Sequence, residues 1–335
     1  MKILGIETSC DETSIAVLND GNVLVNLVSS QLLHHQYGGV VPEYASREHM
    51  RMIEGLTIEA LERSDCSIDD IDGIAVTRGP GLMGALLVGL SFAKGLSYAS
   101  NKPLLGVNHV EGHIMANFLD HLDLEYPFLC LLASGGHTQI VYVKDFRKYE
   151  ILGRSVDDAA GEAFDKAARI LNLGYPGGPI IDQMAREGDP TFYHFPRARV
   201  KNEANNFSFS GLKTSILYLV QKEGKKWAEI HLNDLCASYQ ESIVEVLVGN
   251  TIDVALRCNA RRLVLAGGVV ANFRLRSVFK KAAERNSMEI YFPSLEYCTD
   301  NAAMIARTGL ELLRRNQYSS SDISAIPNLS LVSNN

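Results

Sequence analysis

An internal repeat constrains the fold of this chain more than any other feature of the sequence. The segment KILGIETSCDETSIAVL near the N-terminus aligns with FLCLLASGGHTQIVYVK in the middle of the chain. In this register Ser9 meets Ser134, and Thr13 meets Thr138. Each copy is an apolar run, a short polar turn and a second apolar run, which is the pattern of two strands joined by a tight turn. A duplicated unit of this kind predicts two lobes with the same architecture.

The elements that follow each copy are predicted in one order. Apolar periodicity and the positions of Gly and Pro indicate three strands and then alternating helices and strands in both halves. This order is typical of an α/β fold whose mixed sheets are covered by helices on both faces. The first half has predicted strands at 2–7, 13–18, 23–30, 73–76 and 104–107, with helices starting near 42, 83 and 109. The second has strands at 128–132, 139–144, 149–153, 262–265 and 289–292, with helices starting near 162, 233, 271 and 300.

The two halves set the predicted domain boundaries. We expect an N-terminal lobe at 1–122, a C-terminal lobe at 123–315 with an insertion at about 174–231, and a loose polar tail at 316–335. Two such lobes resemble the actin, sugar-kinase and Hsp70 ATPase superfamily, whose lobes have an RNase H-like fold. The resemblance implies a central cleft in which the strand-turn-strand units bind the phosphates of a nucleotide.

Composition limits the compartment and the partners of the chain. Its 335 residues are 46% hydrophobic, which is sufficient for two domains with their own cores. The chain shows no signal-peptide core or membrane span, and its six cysteines form no C-x-x-C pair, so we expect a reduced, cytoplasmic protein with no membrane partner. With a net charge of −7, a nucleic acid would need a local basic patch. Basic residues cluster at Arg197, Arg199 and Lys201 and again at Arg274, Arg276, Lys280 and Lys281, where a solvated charged face is the alternative to an RNA contact.

Three short segments have the composition of phosphate-binding turns. Small residues let backbone N–H groups approach an anion closely, and a helix that starts after the turn adds the favourable end of its dipole. The segments are Thr8–Glu12, Ser134–Thr138 and Ala266–Asn272, and the repeat predicts that they share one cleft. A fourth segment, RGPGLMGALLVG from Arg78 to Gly89, fits either this role or close packing of a helix on the sheet.

Two histidines and an aspartate are candidates for one metal site. His109 and His113 lie four residues apart in NHVEGH, so both would project from one face of a helix. Asp300 is the candidate third ligand, because His109 and Asp300 each open the helix after the last strand of their lobe, and equivalent positions in two lobes face each other. Two imidazoles and one carboxylate favour zinc or iron over magnesium. Ordinary surface or capping histidines are the alternative.

Acidic residues near the turns are candidates for catalysis and ligand binding. Asp11 has a stronger claim than Glu12 or Asp165, since a carboxylate in a phosphate-binding turn can orient a metal-bound water or accept a proton. Asp165 and Asp182 could bind ligand hydroxyl groups, although a role as helix caps explains them nearly as well.

The ordered motifs resemble one family within this superfamily. GIETSCDETS, RGPGLMGAL, NHVEGHIMA, LASGGHTQIV, DDAAGEAFDKAARILNLGYPGGP, FSFSGLKT, LAGGVVAN and YCTDNAAMIA are similar to the motifs of the bacterial tRNA threonylcarbamoyladenosine transferases, the TsaD family. The resemblance covers the chain up to the tail, and Ala133, where many members carry valine, is a mild departure. It implies an acyltransferase that moves threonylcarbamoyl from threonylcarbamoyl-AMP to the N6 amine of the adenosine 3′ of the anticodon, in tRNAs reading ANN codons.

The same resemblance implies roles for individual residues and for partners. One iron or zinc ion would be held by His109, His113 and Asp300. Asp11 and Glu12 are the candidate catalytic pair from their place in the polar turn, and the resemblance does not assign them. The implied protein partners are an inactive paralogue of the TsaB type and a small ATPase of the TsaE type. We expect the nucleotide-bearing substrate, with Mg²⁺ beside the bound nucleotide, to contact Leu132, Ala133, Ser134, Gly135, Gly136, His137, Asp165, Gly178, Asp182, Gly267, Gly268 and Asn272.

Three other functions, two enzymatic and one as a scaffold, are compatible with parts of the sequence. A sugar-kinase-like phosphotransferase would use the fold and the phosphate turns, but it gives no reason for His109, His113 and Asp300 to meet. A zinc protease is disfavoured, because HVEGH lacks the glutamate beside the first histidine that H-E-x-x-H requires. A scaffold like the inactive paralogue is disfavoured, because such a copy would be expected to lack the metal residues.

Overall fold

Two mixed sheets with the same strand order form the framework of the chain. The computed structural model describes residues 1–31, 39–198, 200 and 205–332, which divide into two units. Unit 1 consists of Met1–Leu124 together with Pro293–Asn335, and unit 2 consists of Glu125–Phe292. Within the described residues each unit has one five-stranded sheet. The predicted α/β fold with two lobes is confirmed, and the central cleft stays a prediction.

Unit 1 begins with an antiparallel meander and continues with alternating helices and strands. Its strands are β1 (Lys2–Glu7), β2 (Glu12–Asn19), β3 (Asn22–Ser30), β4 (Gly73–Gly79) and β5 (Leu104–Asn108). Its first helices are α1 (Pro42–Arg63), α2 (Met83–Ser100), α3 (His109–Met115) and α4 (Asn117–Asp120). The strand order is β3-β2-β1-β4-β5, in which β4 is parallel to both β1 and β5. The C-terminal ends of β1, β4 and β5 therefore lie side by side at one edge of the sheet.

Unit 2 repeats this plan with a longer set of helices. Its strands are β6 (Phe128–Ala133), β7 (Thr138–Asp145), β8 (Lys148–Arg154), β9 (Arg262–Ala266) and β10 (Glu289–Tyr291), in the order β8-β7-β6-β9-β10. Its helices are α5 (Ala160–Ile170), α6 (Gly177–Ala185), α7 (Ser210–Glu223), α8 (Lys225–Ile230), α9 (Leu232–Arg257) and α10 (Phe273–Arg285). The predicted insertion contains α6, α7 and α8. No helix among the described residues combines the length and apolar character needed to cross a membrane.

The register of the strands confirms the internal repeat. Glu7 lies opposite Ser14 in unit 1, and Leu132 lies opposite Gln139 in unit 2. Both pairs keep the register found in the sequence. The two copies therefore share a backbone plan and differ in the side chains that the plan presents.

Two predicted helices begin about two residues later than the sequence pattern indicated. The first, α10, follows a short 3₁₀ turn at Gly268–Ala271 and has Asn272 as its N-cap. The second, α11 (Ala302–Arg314), has Asn301 as its N-cap. Each asparagine has extended backbone angles, and its side chain accepts a hydrogen bond from the N–H three residues ahead. A cap in this conformation is not itself helical, so each helix begins at the residue that follows it.

The last helix, α11, packs on the sheet of unit 1. We had predicted from the sequence that residues up to 315 belong to the second lobe. The helix contacts β1 and β4, and two glycines make this approach possible. A Cβ on Gly5 would collide with Ala302 O, and a Cβ on Gly309 would collide with Ala75 Cβ. Chain order suggested that the helix after β10 belongs with β10. Close packing instead sets the unit boundary at Phe292.

Residues 316–332 also pack on unit 1, which corrects the prediction of a loose tail. Ser319 N donates a 2.8 Å hydrogen bond to Leu104 O on β5. Asn108 Nδ2 donates a 3.0 Å hydrogen bond to Ser330 O, and Ile323 packs against the apolar core. This segment supplies partners to an edge strand whose backbone groups would otherwise lack them. Residues 333–335 of the predicted tail lie outside the described residues.

The glycine-rich segment Arg78–Gly89 mediates close packing of α2. A Cβ on Gly89 would collide with Thr8 Oγ1, and one on Gly84 would collide with Ser46 Oγ of α1. Such contacts need residues without side chains. They support the packing role, which was one of the two alternatives for this segment.

We expect Gly309→Ala to destabilise the protein, although alanine is the better helix former. The added methyl group would overlap Ala75, and overpacking a core costs about 1–3 kcal/mol. Gly95→Ala in α2 is the matched control, because no atom lies near its added Cβ, and it should stabilise by about 0.5–1 kcal/mol. Urea unfolding followed by circular dichroism compares the two variants. Equal stabilisation by both would contradict the packing of α11 on β4.

Candidate functional site

Three side chains of unit 1 meet at a candidate metal site. His109 and His113 lie on α3, and Asp300 directly precedes the N-cap of α11. Their Nε2 atoms lie 3.4 Å (His109) and 3.2 Å (His113) from Asp300 Oδ1, and the three ligand atoms lie within 4.8 Å of one another. The predicted convergence is confirmed. All three residues belong to unit 1, so the reasoning from equivalent positions in two lobes is corrected.

An asparagine caps the N-terminus of each of the two helices at which these ligands lie. Asn108 ends β5, and its Oδ1 accepts hydrogen bonds of 2.9 and 3.3 Å from two N–H groups of the first turn of α3. Asn301 caps α11 in the same way at 3.0 Å. His109 directly follows one cap, and Asp300 directly precedes the other. The caps therefore fix the backbone positions from which the ligands extend.

A buried glutamate that the sequence analysis did not single out contacts His109. Glu7 ends β1, and its side chain is fully buried. Its Oε2 lies 3.0 Å from His109 Nδ1 and accepts a 2.6 Å hydrogen bond from Thr77 Oγ1. Its Oε1 accepts a 2.5 Å hydrogen bond from Ser9 N. The sequence does contain a signal for it, because an acidic residue that closes the apolar strand KILGIE needs partners when it is buried.

Charges within the cluster shift the pKa values of its members. Burial acts to raise the pKa of Asp300, but the attraction of His109 and His113 holds it far below its usual range. Burial acts against protonation of His109, but the charges of Asp300 and Glu7 raise its pKa well above the usual value. Burial acts to raise the pKa of Glu7 as well, and His109 reverses this effect and lowers it. An imidazolium on His109 between two carboxylates is the favoured ionisation state.

His113 carries the clearest sign of a metal ligand. Its ring is buried, its Nε2 approaches Asp300 Oδ1 at 3.2 Å without the geometry of a hydrogen bond, and its Nδ1 has no hydrogen-bond partner among the described residues. Buried polar atoms normally have a partner, and a cation is one kind of partner for an imidazole nitrogen. Two imidazole nitrogens and one carboxylate oxygen are a donor set for zinc or iron, with coordination positions left for substrate atoms.

Asp11 and Glu12, the predicted catalytic pair, lie close to this cluster. They are half-buried at the end of the turn between β1 and β2, and Glu12 begins β2. Burial raises the pKa of Glu12, and the negative charges of Asp300 and Asp11 raise it further, to well above its usual value. A protonated carboxyl group can donate a hydrogen bond as well as accept one.

A buried histidine of α1 supports this turn. His49 Nδ1 lies 2.8 Å from Thr13 Oγ1, and His49 Nε2 lies 3.0 Å from the carbonyl oxygen of Cys10. Both ring nitrogens therefore contact the segment that carries Asp11 and Glu12. The spacing of His49 in the sequence does not connect it with the turn, so its role was not predicted.

In unit 2 the turn after β6 leaves its glycines open. Leu132 and Ala133 are buried at the end of β6, and Ser134 N donates a 2.8 Å hydrogen bond to His137 O. Gly135 and Gly136 are exposed, and no atom lies within 4 Å of a Cβ built on either. Packing within the chain does not require glycine here, whereas close approach of an anion to the backbone does.

The other glycine segments of unit 2 contact this turn. Gly161 N, at the start of α5, donates a 3.2 Å hydrogen bond to Ser134 O. Gly267 has a φ of 95°, and a side chain on it would collide with the carbonyl group of Ala133. Gly268 follows directly and opens the 3₁₀ turn before α10. Two of the three predicted phosphate segments therefore meet in unit 2, and the third, Thr8–Glu12, lies in unit 1.

The remaining predicted ligands of unit 2 are linked by hydrogen bonds around α6. Asp165 Oδ1 accepts a 2.7 Å hydrogen bond from Gly177 N, next to Gly178 in the first turn of α6. Asp182 Oδ2 accepts a 3.3 Å hydrogen bond from Phe273 N, next to Asn272. Asp182 Oδ1 is buried and has no hydrogen-bond partner among the described residues.

The side chain of Asn272 has a structural role at this position. Its Oδ1 caps α10 at 2.8 Å, and its Nδ2 donates a 2.6 Å hydrogen bond to Gln240 Oε1. Asp182 therefore has a buried, unpaired acceptor atom beside α10, whereas the polar side-chain atoms of Asn272 are engaged within the protein.

Comparisons with known proteins identify the family. A family model described as TsaD, tRNA N6-adenosine threonylcarbamoyltransferase, matches residues 22–307. A curated relative of that name from Thermosipho africanus is 51% identical over 332 residues, covering 99% of this chain and 100% of the relative. Another from Clostridium kluyveri is 52% identical over 335 residues, covering 99% and 98%. This chain belongs to the tRNA N6-adenosine threonylcarbamoyltransferase family.

The fold of this threonylcarbamoyltransferase family member is similar to that of a hexokinase. A solved structure of a ROK hexokinase from Thermus thermophilus matches it with a TM-score of 0.51 and 13% identity, covering 94% of this chain and 100% of the hexokinase. Likeness at this identity shows the fold alone. The sugar-kinase alternative therefore has no support beyond the shared fold, whereas the family resemblance found in the motifs is confirmed.

We expect the binding of Zn²⁺ at His109, His113 and Asp300 to weaken as the pH falls. Because Asp300 and Glu7 raise the pKa of His109, this histidine holds its proton to a higher pH than an ordinary histidine does. A metal must displace that proton, so the apparent affinity should rise with pH until the raised pKa of His109 is passed. Competition with a chromophoric chelator measures this affinity.

Asp300→Asn is the control for the pH series, since it removes a ligand and should bind Zn²⁺ weakly at every pH. An affinity of the unsubstituted protein that is constant from about pH 6 to pH 9, across the range where histidines titrate, would contradict the expectation.

Proposed function

We propose that this chain transfers a threonylcarbamoyl group from threonylcarbamoyl-AMP to the N6 amine of the adenosine 3′ of the anticodon in tRNAs reading ANN codons. The observation that carries the proposal is membership of the tRNA N6-adenosine threonylcarbamoyltransferase family along nearly the whole chain. The cluster of His109, His113 and Asp300 supports it, since it is a candidate metal site near two candidate catalytic acids.

The reaction has a defined chemical difficulty. The lone pair of an adenine amine is delocalised into the ring, so the amine is a weak nucleophile. In the transfer, N6 forms a bond to the carbamoyl carbon, the bond from that carbon to the phosphate oxygen breaks, and AMP leaves. One proton must also be removed from N6. When bound, a zinc or iron ion held by His109, His113 and Asp300 would supply a Lewis acid for the donor.

Asp11 and Glu12 are the groups that we assign to the proton. Asp11 lies at the polar turn and would accept the proton from N6 as the new bond forms. Glu12, whose burial favours the protonated form, would donate a hydrogen bond to an oxygen of the donor on which negative charge develops. The support of the turn by His49 would keep both groups in place during the reaction.

Unit 2 would bind the adenylate part of the donor. The open turn from Leu132 to His137, with Gly267 and Gly268 beside it, would hold the phosphate through backbone N–H groups, together with Mg²⁺. The unpaired Oδ1 of Asp182 would accept a hydrogen bond from a ribose hydroxyl group. Asp165, Gly178 and Asn272 would shape this pocket through the contacts of α6 and α10.

Further parts of the proposal concern partners and location. Transfer to tRNA would occur in the cytoplasm, with a TsaB-type paralogue and a TsaE-type ATPase as protein partners. Basic residues of unit 2, among them Arg276 and Lys280, would contact the tRNA backbone. Arg199 and Lys201 of the other predicted cluster lie outside the described residues.

We expect Asp11→Asn to lower the turnover number for threonylcarbamoyl transfer by about 10²–10⁴-fold, the usual effect of losing a general base. The Michaelis constant for tRNA should change little, because the group acts on the proton and contributes little to binding. The assay combines the purified chain, the two partners, threonylcarbamoyl-AMP and tRNA transcript, and mass spectrometry of the digested tRNA gives the product.

Asp253→Asn, an exposed carboxylate of α9, is the matched control for this assay and should retain full activity. Normal product formation by an Asp11→Ala, His109→Ala double variant would overturn the proposed chemistry. Absence of product from the unsubstituted protein with all partners present would overturn the proposed reaction.

A further inference from the structure

The geometry points to Glu7 as a positioning residue of the metal site, which orients His109 so that its Nε2 faces the metal. The inference rests on the proposed metal site and goes beyond it, because Glu7 is not one of the metal ligands. It acts through His109 alone.

The fold brings Glu7 to His109 through three neighbouring strands. Glu7 is the last residue of β1, and Thr77 lies in the adjacent part of β4, one residue beyond the Ile6–Val76 pair. His109 directly follows β5, the next strand of the sheet. The order β1-β4-β5 therefore places the carboxylate, the hydroxyl and the imidazole in a row.

The hydrogen bonds of Glu7 determine which nitrogen of His109 carries hydrogen. A carboxylate only accepts, and Glu7 accepts from Ser9 N at 2.5 Å and from Thr77 Oγ1 at 2.6 Å. The 3.0 Å contact between Glu7 Oε2 and His109 Nδ1 then requires hydrogen on Nδ1. Ser9 Oγ lies 3.1 Å from the same nitrogen and can share that hydrogen. With Nδ1 as the donor, Nε2 keeps its lone pair for a metal once its own proton has left.

His113 provides an internal contrast. Its Nδ1 has no hydrogen-bond partner among the described residues, so the two histidines of the cluster are oriented by different means. The helix backbone and packing hold His113, whereas His109 has a dedicated carboxylate. Loss of Glu7 should therefore affect one ligand and leave the other in place.

A structural role alone does not explain a carboxylate at this position. A buried charge contributes little to stability compared with an apolar residue of similar size, so a strand end that served only packing would not need an acid. The second copy of the repeat illustrates this point. Leu132 occupies the position equivalent to Glu7 and is buried at the end of β6.

The test is Glu7→Gln, which keeps the size of the side chain but replaces one acceptor oxygen with an N–H₂ donor. We expect its dissociation constants for Zn²⁺ and Co²⁺ to rise by about 10–100-fold, the usual effect of losing the hydrogen-bond partner of a ligating histidine. The visible spectrum of the Co²⁺-loaded variant should also change, and the His109 Nδ1–H signal in proton NMR should lose its hydrogen-bonded shift. Glu241→Gln, which alters a carboxylate paired with Arg274 in unit 2, is the matched control and should bind both metals normally.

Thr77→Val provides a second variant if Glu7→Gln does not fold. It removes one hydrogen bond to Glu7 Oε2 and should raise the dissociation constant for Zn²⁺ by about two- to tenfold, with Thr57→Val in α1 as its control. Unchanged Zn²⁺ affinity in Glu7→Gln, or in Thr77→Val if only that variant folds, would overturn the role of Glu7. Failure of the unsubstituted protein to bind either metal would overturn the metal site and the role of Glu7 together. If the unsubstituted protein binds the metals normally but does not modify tRNA, the proposed reaction alone is overturned.

Discussion

The parallel pairing of β4 with β1 on one side and with β5 on the other is the constraint on which the candidate site depends. Parallel strands end at the same edge of a sheet, so Glu7, Thr77 and His109 come together although they are far apart in sequence. The fourth participant, Asp300, arrives with α11, which packs across the same sheet through Gly5 and Gly309. The candidate metal site is therefore a product of strand order and of two positions without side chains.

The two copies of the repeat use one backbone plan for different chemistry. In unit 1 the first strand and its turn carry Glu7, Asp11 and Glu12, whereas the equivalent positions in unit 2 are Leu132, Gly136 and His137. Acids next to histidines suit a cation and proton transfer. Exposed glycines suit the approach of a phosphate to the backbone. The duplication thus provides two turns with different charge preferences, and each can be understood from its own side chains.

The sequence predicted most of this arrangement, and the errors have identifiable physical causes. The strands and helices followed from periodicity, and the meeting of His109, His113 and Asp300 was found, although from an incorrect account of where Asp300 lies. The tail at 316–332 was predicted to be loose because polar residues dominate it. Its packing depends on backbone hydrogen bonds to β5 and on a few apolar side chains such as Ile323, which composition does not reveal.

Glu7 and His49 were missed for a different reason. Both act through contacts between residues distant in sequence, so no local motif marks them. A buried carboxylate at the end of an apolar strand is the one signal that sequence reasoning can use, and it identifies Glu7 but not its partner. Knowledge of the strand order was needed to identify His109 as the partner of Glu7.

The charge balance of the candidate site suits a divalent cation. Among the described residues, Glu7 and Asp300 form ion pairs with His109 and His113 and with no lysine or arginine. An imidazolium on His109 compensates one of the two buried negative charges. A divalent ion that replaces this proton, bound by neutral histidines, would compensate both of these carboxylates. The fold thus prepares a position for a cation through two fixed carboxylates, with the proton on His109 as the competitor that any metal must displace.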